Sequence, residues 1–339
     1  MIVDLPSTTT AAVNHTLIDI RERGGAVALG RVLTLVIVTD DSAQVEQSIE
    51  AANEASKEHP CRVLVVARGL KRAGTRLDAQ IRVGGDAGAS EVLVLRLYGP
   101  LADHGDSVVI PLLLPDCPVV AWWPGAAPAI PAQDPIGRLA QRRITDAAAA
   151  RQPIKALESR RTSYADGDTD LAWTRITPWR ALLAAALDLP PYADVEAATV
   201  TGAADNPSAD LLAGWLRSRL HVPVRRRTSP PGGGISSAVL ERRCGPVELV
   251  RPDGKMGTLR QPGQPERRMP LRRRPVRECL AEELRRLDPD EIYQAALQAV
   301  TEVDNRRAGA AKGLRSQETQ GESQGGTQGE AQGEAGGDS

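Results

Sequence analysis

Two near-continuous apolar runs, RVLTLVIVT at 31–39 and CRVLVVAR at 61–68, lack the polar alternation of a half-exposed strand. Such runs predict strands covered on both faces. Between them Ser42 to Glu58 has helical spacing, with Ser42 as its cap and Pro60 as its stop. Strand, helix and strand in that order predict a βαβ unit and a parallel sheet. Upstream, Ala11 to Arg23 places Val13, Leu17, Ile18 and Ile20 near one helical face and stops at Gly24-Gly25. Further strands fit Arg76–Val83, Glu91–Leu97 and Val119–Trp123. Asp134–Arg143 reads as a short helix leading into RRITDAA. Ala147 to Leu189 reads as predominantly helical, its last segment starting near Asp168 or Thr169 and kinked or restarted by Pro178.

The pattern changes after Pro190-Pro191. A strand at Val195–Thr201 precedes a helix at Ser208–Leu220, whose Leu211, Leu212, Trp215, Leu216 and Leu220 share a stripe. SPPGGG follows as a loop. Four short strands, near Ile235–Arg243, Val247–Arg251, Met256–Arg260 and Arg267–Leu271, are separated by Gly and Pro turns that favour antiparallel neighbours. Helices at Val276–Leu287 and Pro289–Asn305 close the pattern. From Ser316 to Ser339 only Ala331 and Ala335 are apolar, too little to offset the entropy of ordering. The expected fold is therefore α/β. A mostly parallel N-terminal sheet with flanking helices occupies 1–190, a smaller α+β domain with a mostly antiparallel sheet occupies 191–305, and a disordered tail occupies 306–339.

Composition narrows the function. The N-terminal MIVDLPSTTT carries no basic segment followed by an apolar one, so no signal peptide is expected. The longest apolar stretch, Ser107 to Trp123, is broken by Pro111, Pro115, Asp116 and Pro118, which excludes it as a membrane helix. Cys61, Cys117, Cys244 and Cys279 form no CxxC pair and are expected to be free thiols in a reducing, cytoplasmic compartment. Cys244 follows Arg242 and Arg243, whose charge favours thiolate, and is the candidate redox-sensitive position. Arg outnumbers Lys by 37 to 5, and its planar fork suits docking to carboxylate or phosphate.

Catalytic signatures are missing: there is no Walker loop, no GxGxxG after a strand, no GxSxG and no HExxH. Gly84-Gly85-Asp86-Ala87-Gly88 is glycine-rich but has the spacing of neither nucleotide motif. Asp166, Asp168 and Asp170 invite a calcium reading, yet the loop has Leu171 and Thr177 where an EF-hand needs Gly and Glu. They fit better as acidic residues at a helix N-terminus. His15, His59, His104 and His221 share no ligand spacing. No catalytic residue, metal or cofactor is assigned, although an enzyme with a dispersed site is compatible with the same residues.

Two aromatic clusters offer partner contacts. Trp122 and Trp123 end a predicted strand, the edge at which open α/β sheets bind ligands. Trp173, Arg175, Trp179 and Arg180 surround Pro178, and Trp and Arg are the types most enriched in interface hot spots. Core tryptophans standing in for the absent phenylalanines explain the same residues. From Arg217 to Arg277 there are 16 basic residues against four acidic ones, with Arg225, Arg226 and Arg227 at its start. That surplus suits an acidic protein surface, a phosphorylated ligand or nucleic acid, but no nucleic-acid motif accompanies it and nucleic acid is not the expected partner.

The segments RVLTLVIVTDD, HPCRVLVV, SVVIPLLLPDCPVVAWWPG, RRITDAA, DLAWTRITPWRALLAAALD and CLAEELRRLDPDEIYQAAL, in that order, resemble the OpcA family of glucose-6-phosphate dehydrogenase assembly proteins. The resemblance covers about Met1 to Val303. It implies a non-catalytic accessory subunit that promotes assembly or allosteric activation of glucose-6-phosphate dehydrogenase, in the NADPH-generating branch of the pentose phosphate pathway. It supplies no mapped binding residues. The alternatives are a phosphate- or sugar-binding enzyme with a dispersed site, or a nucleic-acid binder using 217–277.

Overall fold

A computed structural model describes residues 1–24, 30–40, 42–84 and 91–304. The expected tail lies outside these residues, as do the side chain of Ser42 and the stretch 85–88 of the glycine-rich loop.

The first sheet begins with β1 (Ile2–Thr8), followed by α1 (Thr10–Gly24), β2 (Leu33–Thr39), α2 (Ser42–Ser56), β3 (Cys61–Arg68), β4 (Arg76–Arg82) and β5 (Glu91–Tyr98). Every residue of β2 is buried, as its unbroken apolar run requires. After the short α3 (Gly105–Val109), β6 (Val119–Trp122) and β7 (Arg142–Thr145) extend the sheet. Then α4 (Pro153–Thr162) leads to β8 (Asp168–Asp170). The order is β1-β4-β5-β3-β2-β6-β7-β8. The six strands from β5 to β8 run parallel, while β4 and β1 pair antiparallel at one edge. Counted from β2, the parallel strands have the order of a doubly wound sheet, with its switch point between β2 and β6.

Two expectations need correction here. Asp134–Arg143 is not a helix: short 3₁₀ turns at Pro131–Gln133 and Gly137–Leu139 precede β7. Asp134 accepts from the amides of Ile136 at 2.9 Å and Gly137 at 3.3 Å, which competes with a helical ladder. The stretch from Ala147 to Leu189 is broken into α4, β8, α5 (Leu171–Thr174) and α6 (Thr177–Leu187). Pro178 sits in the first turn of α6, where no amide donor is needed, so it restarts a helix rather than kinking one.

The second sheet comprises β9 (Val195–Ala203), β10 (Val224–Ser229), β11 (Ile235–Arg242), β12 (Val247–Val250), β13 (Met256–Arg260) and β14 (Arg267–Pro270), in the order β10-β9-β11-β12-β13-β14. Helix α7 (Pro207–Leu220) crosses from β9 to β10, which are parallel; the other pairs are antiparallel. Helices α8 (Val276–Leu284) and α9 (Glu291–Ala299) follow.

The segments between the sheets cross over. Trp173, Ile176, Trp179 and Leu183 of α5 and α6 and the turn between them pack into the core of the second sheet with Val200, Leu212 and Tyr293. Cys279, Leu280 and Leu284 of α8 return to the first sheet, beside Val63, Val65 and Ile49. Buried polar contacts pin the return. Arg142 of β7 meets Glu283 of α8 at 2.6 Å with both side chains buried, and Thr174 also donates to Glu283. Met1–Arg306 consequently forms one compact unit.

Candidate functional site

The carboxyl ends of β2, β6, β7 and β8 open onto a cleft of about 950 Å³. Each strand delivers a polar or small residue to it: Asp40 follows β2, Gly125 follows β6, Thr145 and Asp146 end β7, and Asp170 ends β8. Helix α4 supplies Lys155, Ser159 and Arg160 from the opposite wall. This is the edge at which doubly wound sheets take their ligands.

Asp170 is fully buried, and three donors hold it: the Thr145 hydroxyl at 2.6 Å, the Ala147 amide at 2.9 Å and the Ala172 amide at 2.8 Å. The last of these caps α5. Burial, and then the charge of Asp146, raise the Asp170 pKa to about 6, against the pull of those hydrogen bonds. Asp146 accepts both Arg175 Nη atoms at 2.7 Å. Burial opposes the Arg175 charge, but the bonds and field of Asp146 more than offset it, and the Arg175 pKa is raised. Arg160 is 8% exposed and gives Nη2 to the carbonyls of Pro128 at 2.6 Å and Ala129 at 3.1 Å. Its Nε and Nη1 have no hydrogen-bond partner among the described residues. The cleft therefore offers neighbouring carboxylates and guanidinium groups.

The switch point itself is occupied. Gln44, in the first turn of α2, accepts from Thr39 Oγ1 at 3.0 Å and lies over Gly125. A Cβ built on Gly125 would stand 2.6 Å from Gln44 Nε2, so a glycine is what lets this side chain lie between the ends of β2 and β6.

The sequence candidates are scattered by the fold. Trp122, Trp123, Trp173 and Trp179 are 1–2% exposed and belong to the cores, the alternative that the sequence left open beside partner contacts. Arg180 stacks on Trp173, its Cζ 3.6 Å from the ring centroid, and is half-buried. Of the three consecutive arginines, β10 turns Arg225 and Arg227 outward. Arg226 points in, meeting Asp210 at 2.8 Å and the carbonyls of Gly202 and Ala203. Cys244 is partly exposed, but the cations beside it are engaged elsewhere: Arg242 with the Pro191 carbonyl at 3.2 Å and Arg243 with Glu196 at 2.7 Å. Cys61 and Cys279 are buried, and burial pushes the Cys279 thiol up to about 11. Asp168 and Asp170, read as acidic residues at a helix start, are strand residues, with Arg143 on Asp168 at 2.5 Å. Only Asp170 is also a helix cap. Sequence reading placed Arg175 only in an aromatic–basic cluster around Pro178, and it missed Asp146 and Arg160. Neither had a motif to mark it: Asp146 follows a short strand segment, and Arg160 is one of several charged residues on α4.

Two family profiles match, both describing a subunit of glucose-6-phosphate dehydrogenase. Residues 52–162 fit its N-terminal domain, and residues 166–297 fit its C-terminal domain. The chain belongs to the OpcA family.

No curated protein matches this OpcA-family chain. Among solved structures, it is similar to a 3-ketoreductase from Actinomadura kijaniata at 10% identity and a TM-score of 0.44, over 80% of this chain and 96% of that one. Glucose-6-phosphate 1-dehydrogenase from Mycobacterium avium matches at 12% identity and a TM-score of 0.43, over 80% and 92%. Scyllo-inositol dehydrogenase from Lactobacillus casei matches at 10% and 0.37, over 81% and 90%. Likeness at this level identifies neither activity nor ligand. Among the described residues no helix is long and apolar enough to cross a membrane, and no group of three or more His, Cys, Asp or Glu is placed to hold a metal ion.

Proposed function

We propose that this chain is a non-catalytic cytoplasmic subunit that binds glucose-6-phosphate dehydrogenase and promotes its assembly or allosteric activation. The observation that carries the reading is the filled switch point. A doubly wound sheet that binds a dinucleotide uses a glycine-rich first turn, so that the diphosphate can approach the backbone and the helix N-terminus. Here the sequence from β2 into α2 reads Thr39-Asp40-Asp41-Ser42-Ala43-Gln44, without a glycine. Asp40 brings a negative charge to the cleft where a diphosphate would lie, and Gln44 fills the space beside Gly125. A doubly wound strand order whose first turn has no glycine, together with family profiles that describe a subunit of glucose-6-phosphate dehydrogenase, supports this reading.

The test uses the purified chain alone and mixed with its dehydrogenase. Alone, it should neither bind NADP in a fluorescence titration nor reduce it with glucose 6-phosphate. Mixed, it should co-elute with the dehydrogenase and change the rate or quaternary state of that enzyme. Turnover by the chain alone would favour the enzyme reading. Separate elution with unchanged kinetics across a full titration would sink the subunit reading.

A further inference from the structure

Behind the Asp146–Arg175 pair lies a second, smaller cavity of about 100 Å³, facing the second sheet. Arg175, Arg251 and Arg273 line it, Trp179 lies beside them, and Gly232-Gly233-Gly234 forms part of its wall. The charges there do not balance. Arg175 is neutralised by Asp146. Arg251 is only 5% exposed, and its partners are uncharged: the carbonyl oxygens of Ile235 at 3.2 and 2.8 Å and Leu271 at 2.8 Å, and the Trp179 ring, whose centroid lies 5.2 Å from its Cζ. Among the described residues no carboxylate lies within ion-pair distance of it. Arg273, at the exposed rim, makes no hydrogen bond or ion pair among the described residues. Partial desolvation there, and then the field of Arg175, lower its pKa. The one carboxylate lining the cavity, Asp205, accepts from the Gly232 amide at 3.3 Å.

A buried guanidinium normally has a counter-ion, because carbonyl dipoles and a ring face repay only part of its lost hydration. Gly234 leaves room for the guanidinium: a Cβ at this position would stand 2.4 Å from Arg251 Nη2. The cavity is far smaller than the ~300–1,000 Å³ of pockets that enclose whole metabolites. It has room for one tetrahedral oxyanion, the shape that guanidinium forks grip bidentately. We infer that this cavity binds a phosphoryl group, either free phosphate or the phosphate of a monoester whose remainder stays outside. The site is independent of the docking role proposed above.

Calorimetry and thermal melting of the full chain, without any dehydrogenase, test the inference with inorganic phosphate, glucose 6-phosphate, glucose, and chloride at matched ionic strength. Phosphate or glucose 6-phosphate should bind saturably and raise the melting temperature, while glucose and chloride should not. Tighter binding of glucose 6-phosphate identifies a monoester site, and equal or tighter binding of phosphate identifies a free-phosphate site. Arg273→Ala, which removes no protein hydrogen bond, should weaken the affinity by about tenfold or more and leave unliganded melting unchanged. Asp205→Asn should tighten binding by removing the opposing charge. Absence of saturable binding by both phosphates, equal stabilisation by chloride, or unaltered affinity in Arg273→Ala would overturn the assignment.

Discussion

Asp146 and Arg175 share two hydrogen bonds of 2.7 Å and stand between two cavities, with Asp146 lining the large cleft and Arg175 the small arginine-walled one. Both side chains are buried, at 2% and 7% exposure. Removing one partner strands a charge in the interior, which costs ~3–5 kcal/mol, whereas replacing both with apolar groups is close to neutral. Asp146→Ala should therefore destabilise strongly, and Asp146→Ala with Arg175→Met should recover most of the loss. Urea unfolding of the two single variants and the double variant measures the coupling. Simple additivity would show that the two residues do not act as a unit.

Asp170 gives a pH dependence of defined sign. Its pKa rises from 3.8 to about 6 on folding, first because it is buried and then because Asp146 is near. The folded state thus holds this proton more tightly. Its contribution to stability is complete below 3.8, declines as pH rises, and is gone above about 6. Asp170→Asn removes the titration, so the variant should gain stability relative to the parent as pH rises through that window. Unfolding free energies at stepped pH give the difference directly. Parallel profiles would show that Asp170 does not titrate there.

The tryptophans now make a stability claim. Trp179→Ala and Trp122→Ala should each cost ~3–5 kcal/mol, because both side chains are nearly fully buried. Any loss of partner binding should follow unfolding rather than precede it. Denaturation and binding measured on the same variants separate the two. A truncated variant that stays fully stable yet loses the dehydrogenase would return that tryptophan to the interface.

The sequence showed the elements whose pattern is set by burial on both faces. β2, β3 and β5 announce themselves as aliphatic runs, and α2 and α7 lie where the helical spacing puts them. The elements it hid have polar sequences stabilised by tertiary partners. β8 is Asp-Thr-Asp and becomes a strand because Arg143 and Thr145 of β7 meet its side chains. β10 contains three arginines and is a strand because Arg226 finds Asp210 beneath it. β1 contains Pro6 and survives at the sheet edge with a register shift between Leu5 and Thr8, where a missing amide is tolerated. The cleft was hidden for a related reason: its residues come from four strand ends and one helix, and only the strand order brings Asp40, Asp146 and Asp170 together.

The three consecutive arginines of β10 divide into two classes with opposite expected phenotypes. Arg225 and Arg227 point outward, and Arg225 meets Asp304 at 3.7 Å, a loose and half-exposed pairing of the kind that adds little stability. Rim charges of this type steer encounter with an oppositely charged surface and are screened by salt. Arg225→Glu combined with Arg227→Glu should leave the melting temperature unchanged, slow association with the dehydrogenase and flatten its salt dependence, with dissociation little altered. Arg226→Ala should instead lower stability by ~3–5 kcal/mol, since it abandons Asp210 and leaves the carbonyls of Gly202 and Ala203 without their donor. Stopped-flow association at several ionic strengths, run beside thermal melts, distinguishes the classes. An association rate indifferent to salt in the parent protein would remove the steering role, and a stable Arg226→Ala would show that its buried contacts contribute nothing.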